Sequence, residues 1–337
     1  MEGVKGIFLR DTETNEIITP DTIKYIELGD TLTPNQLGIG YEYYGSLAGG
    51  LTWSPSNRTV ISIDSALMIT GNKRGETVVT VSATLNGNEY KAQFTVIVKE
   101  TISVINLYDS SLTNVEVAYI DNAVDFLNVV FSEQYYLYFE MDGSPLAYNL
   151  SEEISAHPAS GACTDECGST CPTHHNNVNR IAGELYDEYW ERNHVVVMWS
   201  DYPNNTFCYL DYYGLHHTTQ ALGLVTKVSV DGVAVSQPII QVINLNHTDG
   251  SNSCSIYNLM SLVLAHEIAH TLGMREVYEG YYGDATSHRD KSERCIMSSL
   301  HYENIDQIVA NGLNALCPSC RSHLASELDG KDVYEYQ

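Results

Sequence analysis

Basic residues are scarce in this chain: 17 Lys and Arg stand against 43 Asp and Glu, a formal net charge of -26. Such a field repels a polyanion, so nucleic acid is not an expected partner. The deficit is uneven. Residues 1–100 hold 12 acidic and 8 basic side chains, whereas residues 101–337 hold 31 and 9. The ordinary meaning of an acidic surplus is solubility. A preference for basic substrates and sites for Ca2+ are the functional expectations it leaves open. A long apolar run is also missing. Nothing approaches the ~20 residues of a membrane-spanning helix, and membrane insertion is not expected. The opening MEGVKGIFLRD has none of the apolar stretch of a signal peptide. That leaves a cytosolic start or a start after a removed signal, and the second is the expectation carried forward. Cysteine is absent from the first 162 residues.

All eight cysteines fall in the second part: Cys163, Cys167, Cys171, Cys208, Cys254, Cys295, Cys317 and Cys320. An even number confined to one region fits a disulfide set in an exported protein. The rival is a structural metal site. Cys163, Cys167 and Cys171 step by four and are followed by His174 and His175, and Cys317-Pro-Ser-Cys320 is a CxxC. Paired CxxC knuckles would be a strong zinc signal, but the chain has one.

A length of 337 residues with 43% hydrophobic side chains suggests two domains with ample cores. Residues 1–100 read as an all-β sandwich. Val78, Thr80 and Ser82 alternate with Val79, Val81 and Ala83, Asn86-Gly87 follows as a hairpin turn, and Phe94–Val98 is β-branched and apolar. No helical period of any length appears there. The segments Leu51-Thr-Trp-Ser-Pro-Ser-Asn57, Val60–Ile63 and Ile69-Thr-Gly-Asn-Lys-Arg-Gly75, leading into Val78–Val81, resemble the bacterial immunoglobulin-like (group 2) domains of surface proteins. The resemblance covers roughly residues 20–98. It implies a spacer or adhesion module on a secreted or cell-surface bacterial protein.

From residue 101 the pattern changes to mixed helix and strand, an α/β (α+β) domain over 101–337. Val117, Ile120, Val124, Leu127 and Phe131 follow a helical spacing that Asn114 could cap. Tyr135–Phe139, Val195–Trp199 and Pro238–Ile243 read as strands, and Val178, Ile181, Leu185 and Tyr189 as a second helix. Residues 157–177 read as a bridged loop.

The chemistry concentrates in His266-Glu-Ile-Ala-His270. Leu259, Leu262, Val263, His266 and His270 share one helical stripe. Residues four apart lie one above the other, so both imidazoles can address one ion. Glu267 is about 100° round the helix, too far to join easily as a ligand but placed to hold a water. Two neutral nitrogen ligands and a carboxylate base suit hydrolysis. The helix is apolar enough to be buried, where two His and a Glu are costly without a metal or partners. Gly273 can end the helix and turn the chain. Glu276 follows, and Cys295-Ile-Met297 places Met297 27 residues past His270.

The run His266-Glu267-x-x-His270-x-x-Gly273 with the later Cys295-Ile-Met297-Ser298 resembles the metzincin clan of zinc endopeptidases. The Cys-Ile-Met form resembles the adamalysin-like branch, and a carboxylate at 276 followed by Tyr278 resembles snapalysin. The resemblance covers about 30 residues. It implies zinc held by His266 and His270, Glu267 as general base, Met297 as an apolar floor, and a protein or glycoprotein substrate. The third ligand departs from the family's His or Asp. Glu276 is the first candidate, His288 the second, with Asp284 or a later glutamate behind them. Tyr278 and Tyr302 are candidates for helping at the oxyanion, with packing as the plainer role. Two other functions stay open: an inert adhesin with a protease-like domain, and a zinc amidase or deacetylase acting on glycans.

Overall fold

The computed structural model describes residues 6–110, 112–149, 152, 194–200, 206–210, 216–220, 223–230, 233–241, 256–274, 295–297 and 305–329. Their architecture is mostly β, in several sheets, with few helices. The chain divides into two compact units. The first takes Met1–Thr101 with Tyr135–Tyr138, the second Ile102–Gln134 with Phe139–Gln337.

The first unit contains β1 (Gly6–Asp11), β2 (Ile23–Glu27), β3 (Thr31–Leu32), β4 (Ile39–Tyr44), β5 (Thr52–Pro55), β6 (Ile61–Ile63), β7 (Ile69–Gly71) and β8 (Gly75–Leu85). It also takes β9 (Asn88–Asp109) as far as Thr101. β8 pairs antiparallel with β5 and β9, β2 lies parallel to β9, and β1 pairs antiparallel with β4. β3, β7 and β6 make a small sheet of their own. The expected hairpin is there: Leu85 faces Asn88, with Asn86 at φ 49° and Gly87 at φ 82°. Two positive φ values define the turn whose twist matches the strands it joins. In β8, Thr77, Val79, Val81, Ala83 and Leu85 are buried and their neighbours are not. One face therefore meets the core. Phe94–Val98 is buried at every position, the signature of a strand covered on both sides. The Trp53 ring meets Phe94 edge-on at 5.9 Å between centroids. Arg74 pairs with Glu100 where both side chains are nearly inaccessible.

In the second unit, the later part of β9 pairs in parallel with β11 (Leu146–Tyr148) and β12 (His194–Ser200). β12 in turn pairs in parallel with β16 (Val233–Gln241), and β15 (Gly223–Val230) closes that side antiparallel to β16. β10 (Leu137–Met141), of which Phe139–Met141 belong to this unit, precedes β11, and β13 (Thr206–Leu210) and β14 (His216–Gln220) form a separate antiparallel pair. Val195–Trp199 is buried throughout, as its unbroken apolar run predicts. Parallel neighbours need a crossover. The helix α1 (Asn114–Tyr135) supplies it between β9 and β11.

α1 buries Ile120, Val124, Leu127 and Phe131, while Val117 is half-buried. The cap differs from expectation. Thr113, not Asn114, closes the helix start: its N–H donates to Glu116 Oε2 at 2.7 Å, and the Glu116 N–H donates back to Thr113 Oγ1 at 3.3 Å. This reciprocal Thr-x-x-Glu pair satisfies two otherwise orphaned amides, which a lone Asn cannot. Thr113→Ala is expected to lower stability by about 1 kcal/mol. A downward shift in the urea midpoint, followed through the helical circular-dichroism signal, checks it. The strand expected from Tyr135 begins later. Tyr135 ends α1, Tyr136 takes a φ of 57°, and β10 opens at Leu137. The left-handed residue reverses the chain between helix and strand. The expected second helix at 178–189 and the bridged loop at 157–177 lie outside the described residues.

The second unit also holds α2 (Ile256–Thr271), α3 (Ile305–Ala310) and α4 (Pro318–Glu327). α2 packs on β15, β16 and α3. It is buried nearly all round, from Leu259 to Ala269. A helix without a polar face belongs in a core.

Candidate metal centre

α2 brings His266, Glu267 and His270 to its C-terminal turns. His266 and Glu267 are buried and His270 is half-buried. The helix stops where Gly273, at φ 89°, leaves the right-handed region. The Gly273 N–H donates to the His270 carbonyl and the Met274 N–H to the Ala269 carbonyl, both at 3.0 Å. This is a Schellman closure, and only glycine takes its conformation without strain. Its result is chemical. The chain folds back so that the Met274 carbonyl lies 2.8 Å from His270 Nδ1.

His266 is held in the same way from another direction. Its Nδ1 lies 2.8 Å from the carbonyl of Ile296, in the turn Cys295–Met297. All three residues of that turn are fully buried. The turn is tied in turn to a third segment, the Ile296 N–H donating to the Ala315 carbonyl at 2.8 Å. Met297 follows the holding carbonyl by one residue. α3 is joined to α2 by Asn258 Nδ2 donating to Asp306 Oδ1 at 2.7 Å.

These contacts decide the tautomers. A carbonyl oxygen only accepts, so each Nδ1 carries the proton. In a neutral imidazole each Nε2 is then an acceptor. The two Nε2 atoms are 3.1 Å apart, with the rings at 85° to each other. Two lone pairs at that distance repel unless a cation lies between them. Burial first, and then His270, lowers the His266 pKa to about 4 against the pull of the Ile296 hydrogen bond, so the His266 ring favours its neutral, lone-pair-bearing form. Two nitrogens on one tetrahedral zinc at 2.0–2.1 Å stand about 3.3 Å apart. The pair could serve a divalent cation, and each imidazole has a backbone carbonyl partner of the kind metal-binding histidines usually have.

Glu267 sits beside this pair on the same helix, buried. Glu276, His288, Asp284, Tyr278 and Tyr302, the candidates for the third ligand and for oxyanion help, lie outside the described residues. So do Cys163, Cys167, Cys171, His174, His175 and Cys254.

A second cluster joins positions 22 and 25 residues apart in sequence. The sulfurs of Cys295, Cys317 and Cys320 all lie within 4.8 Å of one another, a group that could hold a metal ion. Cys295 and Cys320 are buried and Cys317 half-buried. The cysteine count favours a disulfide set with a structural metal site as its rival, and a trio gathered in one place is the grouping that the second reading requires. Sequence spacing does not reveal this group, because Cys295 is placed by the turn after α2 and the CxxC by α4. The orienting carbonyls of Ile296 and Met274 are equally invisible, since any residue supplies a carbonyl. Gly273 was the one legible signal of the second.

No protein-family model matches the chain, and no curated protein matches it. Among solved structures, a 2,6-sialyltransferase of a Photobacterium species is 12% identical, covering 56% of this chain and 36% of its own, with a TM-score of 0.24. A sialyltransferase from Photobacterium damsela is 11% identical, covering 54% and 36%, with a TM-score of 0.23. A putative alpha-galactosidase from Bacteroides fragilis is 13% identical, covering 64% and 41%, with a TM-score of 0.19. The chain thus spans well under half the length of these proteins, and likenesses this slight carry no argument about fold or activity.

Proposed function

We propose that the chain is a zinc-dependent endopeptidase of metzincin type, preceded by a bacterial immunoglobulin-like module and acting outside the cell or on its surface. The observation that carries the reading is the convergence of the two Nε2 lone pairs at 3.1 Å, each imidazole fixed by a backbone carbonyl. Glu267, one residue from the first imidazole, supports hydrolysis over mere metal storage. His266 and His270 would hold the ion, with Glu276 or His288 completing the set. Zinc bound there would supply a Lewis acid for the scissile carbonyl and acidify a water. Glu267 takes the proton from the attacking water and returns it to the leaving amine. The Ile296 and Met274 carbonyls hold both imidazoles in the ligating tautomer. Met297 closes the floor with an apolar, polarisable side chain that adds no charge. A protein or glycoprotein is the substrate class, with nucleic acid disfavoured by the net charge of -26.

The purified chain, loaded with zinc and given casein, is expected to cleave it. Chelation with 1,10-phenanthroline should stop cleavage, and added zinc should restore it. A chain that binds zinc at the histidines yet cuts neither casein nor denatured proteins would sink the endopeptidase reading and leave an inert binding module. Release of acetate or ammonia from glycans instead would point to the deacetylase or amidase class.

A further inference from the structure

We propose that Cys295, Cys317 and Cys320 form a second metal site, separate from the histidine pair, that takes a thiophilic divalent cation of the zinc class and clamps the turn Cys295–Met297 in place. The proposal does not depend on the endopeptidase reading. Its basis is how the fold presents the sulfurs. All three lie within 4.8 Å of one another. Sulfurs on one tetrahedral zinc at 2.3 Å stand about 3.8 Å apart, so the trio needs little contraction. Two of the sulfurs already receive backbone amides: the Cys317 N–H points to Cys295 Sγ at 3.3 Å, and the Cys320 N–H to Cys317 Sγ at 3.5 Å. Amides directed at sulfur are the outer contacts that orient and stabilise ligating thiolates.

The local sequence explains the arrangement. Cys317 is the N-cap of α4, with an extended φ of -67° and ψ of 161°, and Pro318 starts the helix. Proline at that position enters the helix without losing a needed amide. Cys320, one turn in, then lies over Cys317. Cys295 comes from the opposite side. It is anchored by the Ile296 N–H on Ala315 O, two residues before Cys317. Among the described residues no fourth His, Cys, Asp or Glu joins the group. Water would complete the coordination. Cys thiolates select d10 zinc over oxygen-seeking Ca2+ or Mg2+, which separates this site from the calcium expectation drawn from the charge.

The site's role follows from its position. Ile296, whose carbonyl orients His266, is the residue directly after Cys295. A metal on Cys295 and α4 fastens that turn from behind without touching the histidine centre.

The test uses the full chain, purified under reducing conditions, stripped of metal and titrated with Co2+. The expected result is a thiolate-to-cobalt charge-transfer absorption. It should be lost in Cys320→Ser and kept in His266→Ala, with each variant binding one equivalent fewer than the parent. His266→Ala, which leaves all three cysteines in place, keeps the test decisive should Cys320→Ser fail to fold. Absence of the charge-transfer band in both the parent and His266→Ala would overturn the proposal. So would mass mapping, on chain isolated without reductant, of a disulfide joining Cys295 to Cys317 or Cys320, or tying any of the three to an upstream cysteine.

Discussion

Glu267→Gln is expected to cut the rate of casein hydrolysis by about 10²–10⁴-fold while leaving zinc stoichiometry unchanged. The side chain is 5% exposed on a helix buried nearly all round, so the near-isosteric amide keeps the packing. What it loses is the ability to take a proton. The proposed ligands are the neighbouring imidazoles, whose Nδ1 atoms face the carbonyls of Ile296 and Met274. Metal content should therefore stay within error of the parent. A turnover within tenfold of the parent, at equal zinc, would remove Glu267 from the mechanism. A fall in turnover accompanied by loss of zinc would instead make it a structural support of the site.

The second large effect lies in the sheet beneath α2. Trp199 is fully buried in β12 and its indole N–H donates to Asn106 Oδ1 in β9 at 2.8 Å. Asn106 is itself buried and reaches the Val104 carbonyl at 3.4 Å and the Met141 sulfur at 2.9 Å. Trp199→Ala opens a large cavity and takes away that acceptor's donor. Cavity formation alone costs about 3–5 kcal/mol. The variant should unfold at markedly lower urea concentration, followed by near-UV circular dichroism. Trp199→Phe separates the two contributions. It refills most of the volume and leaves the buried amide oxygen unsatisfied, at about 1–3 kcal/mol. Equal destabilisation by Ala and Phe would mean that the hydrogen bond, not the volume, dominates.

Much of the local structure was legible because it depends on neighbours in sequence. The alternation in β8, the Asn86-Gly87 turn, the unbroken apolar run of β12 and the helical spacing behind α1 and α2 are periodic signals. Each emerges at the predicted place. Where the reading slipped, a side chain chose between adjacent options. Thr113 and Glu116 cap each other, so the helix starts one residue before Asn114 would have capped it. Tyr136 turns left-handed, so β10 loses its expected first residues.

Sequence alone placed His266, Glu267 and His270 on one helix ended by Gly273, because a repeat of four residues fixes which side chains lie together. It also located Cys295-Ile-Met297 as a separate chemical signal. Tertiary structure decided the rest. It set the Ile296 carbonyl against His266, closed Met274 back onto His270, and carried Cys295 across to the CxxC of α4. These contacts join segments 4 to 30 residues apart through backbone atoms and sulfurs. No residue code announces a carbonyl's direction. The orientation of the candidate metal ligands is therefore a property of how the segments pack, not of the motif that names them.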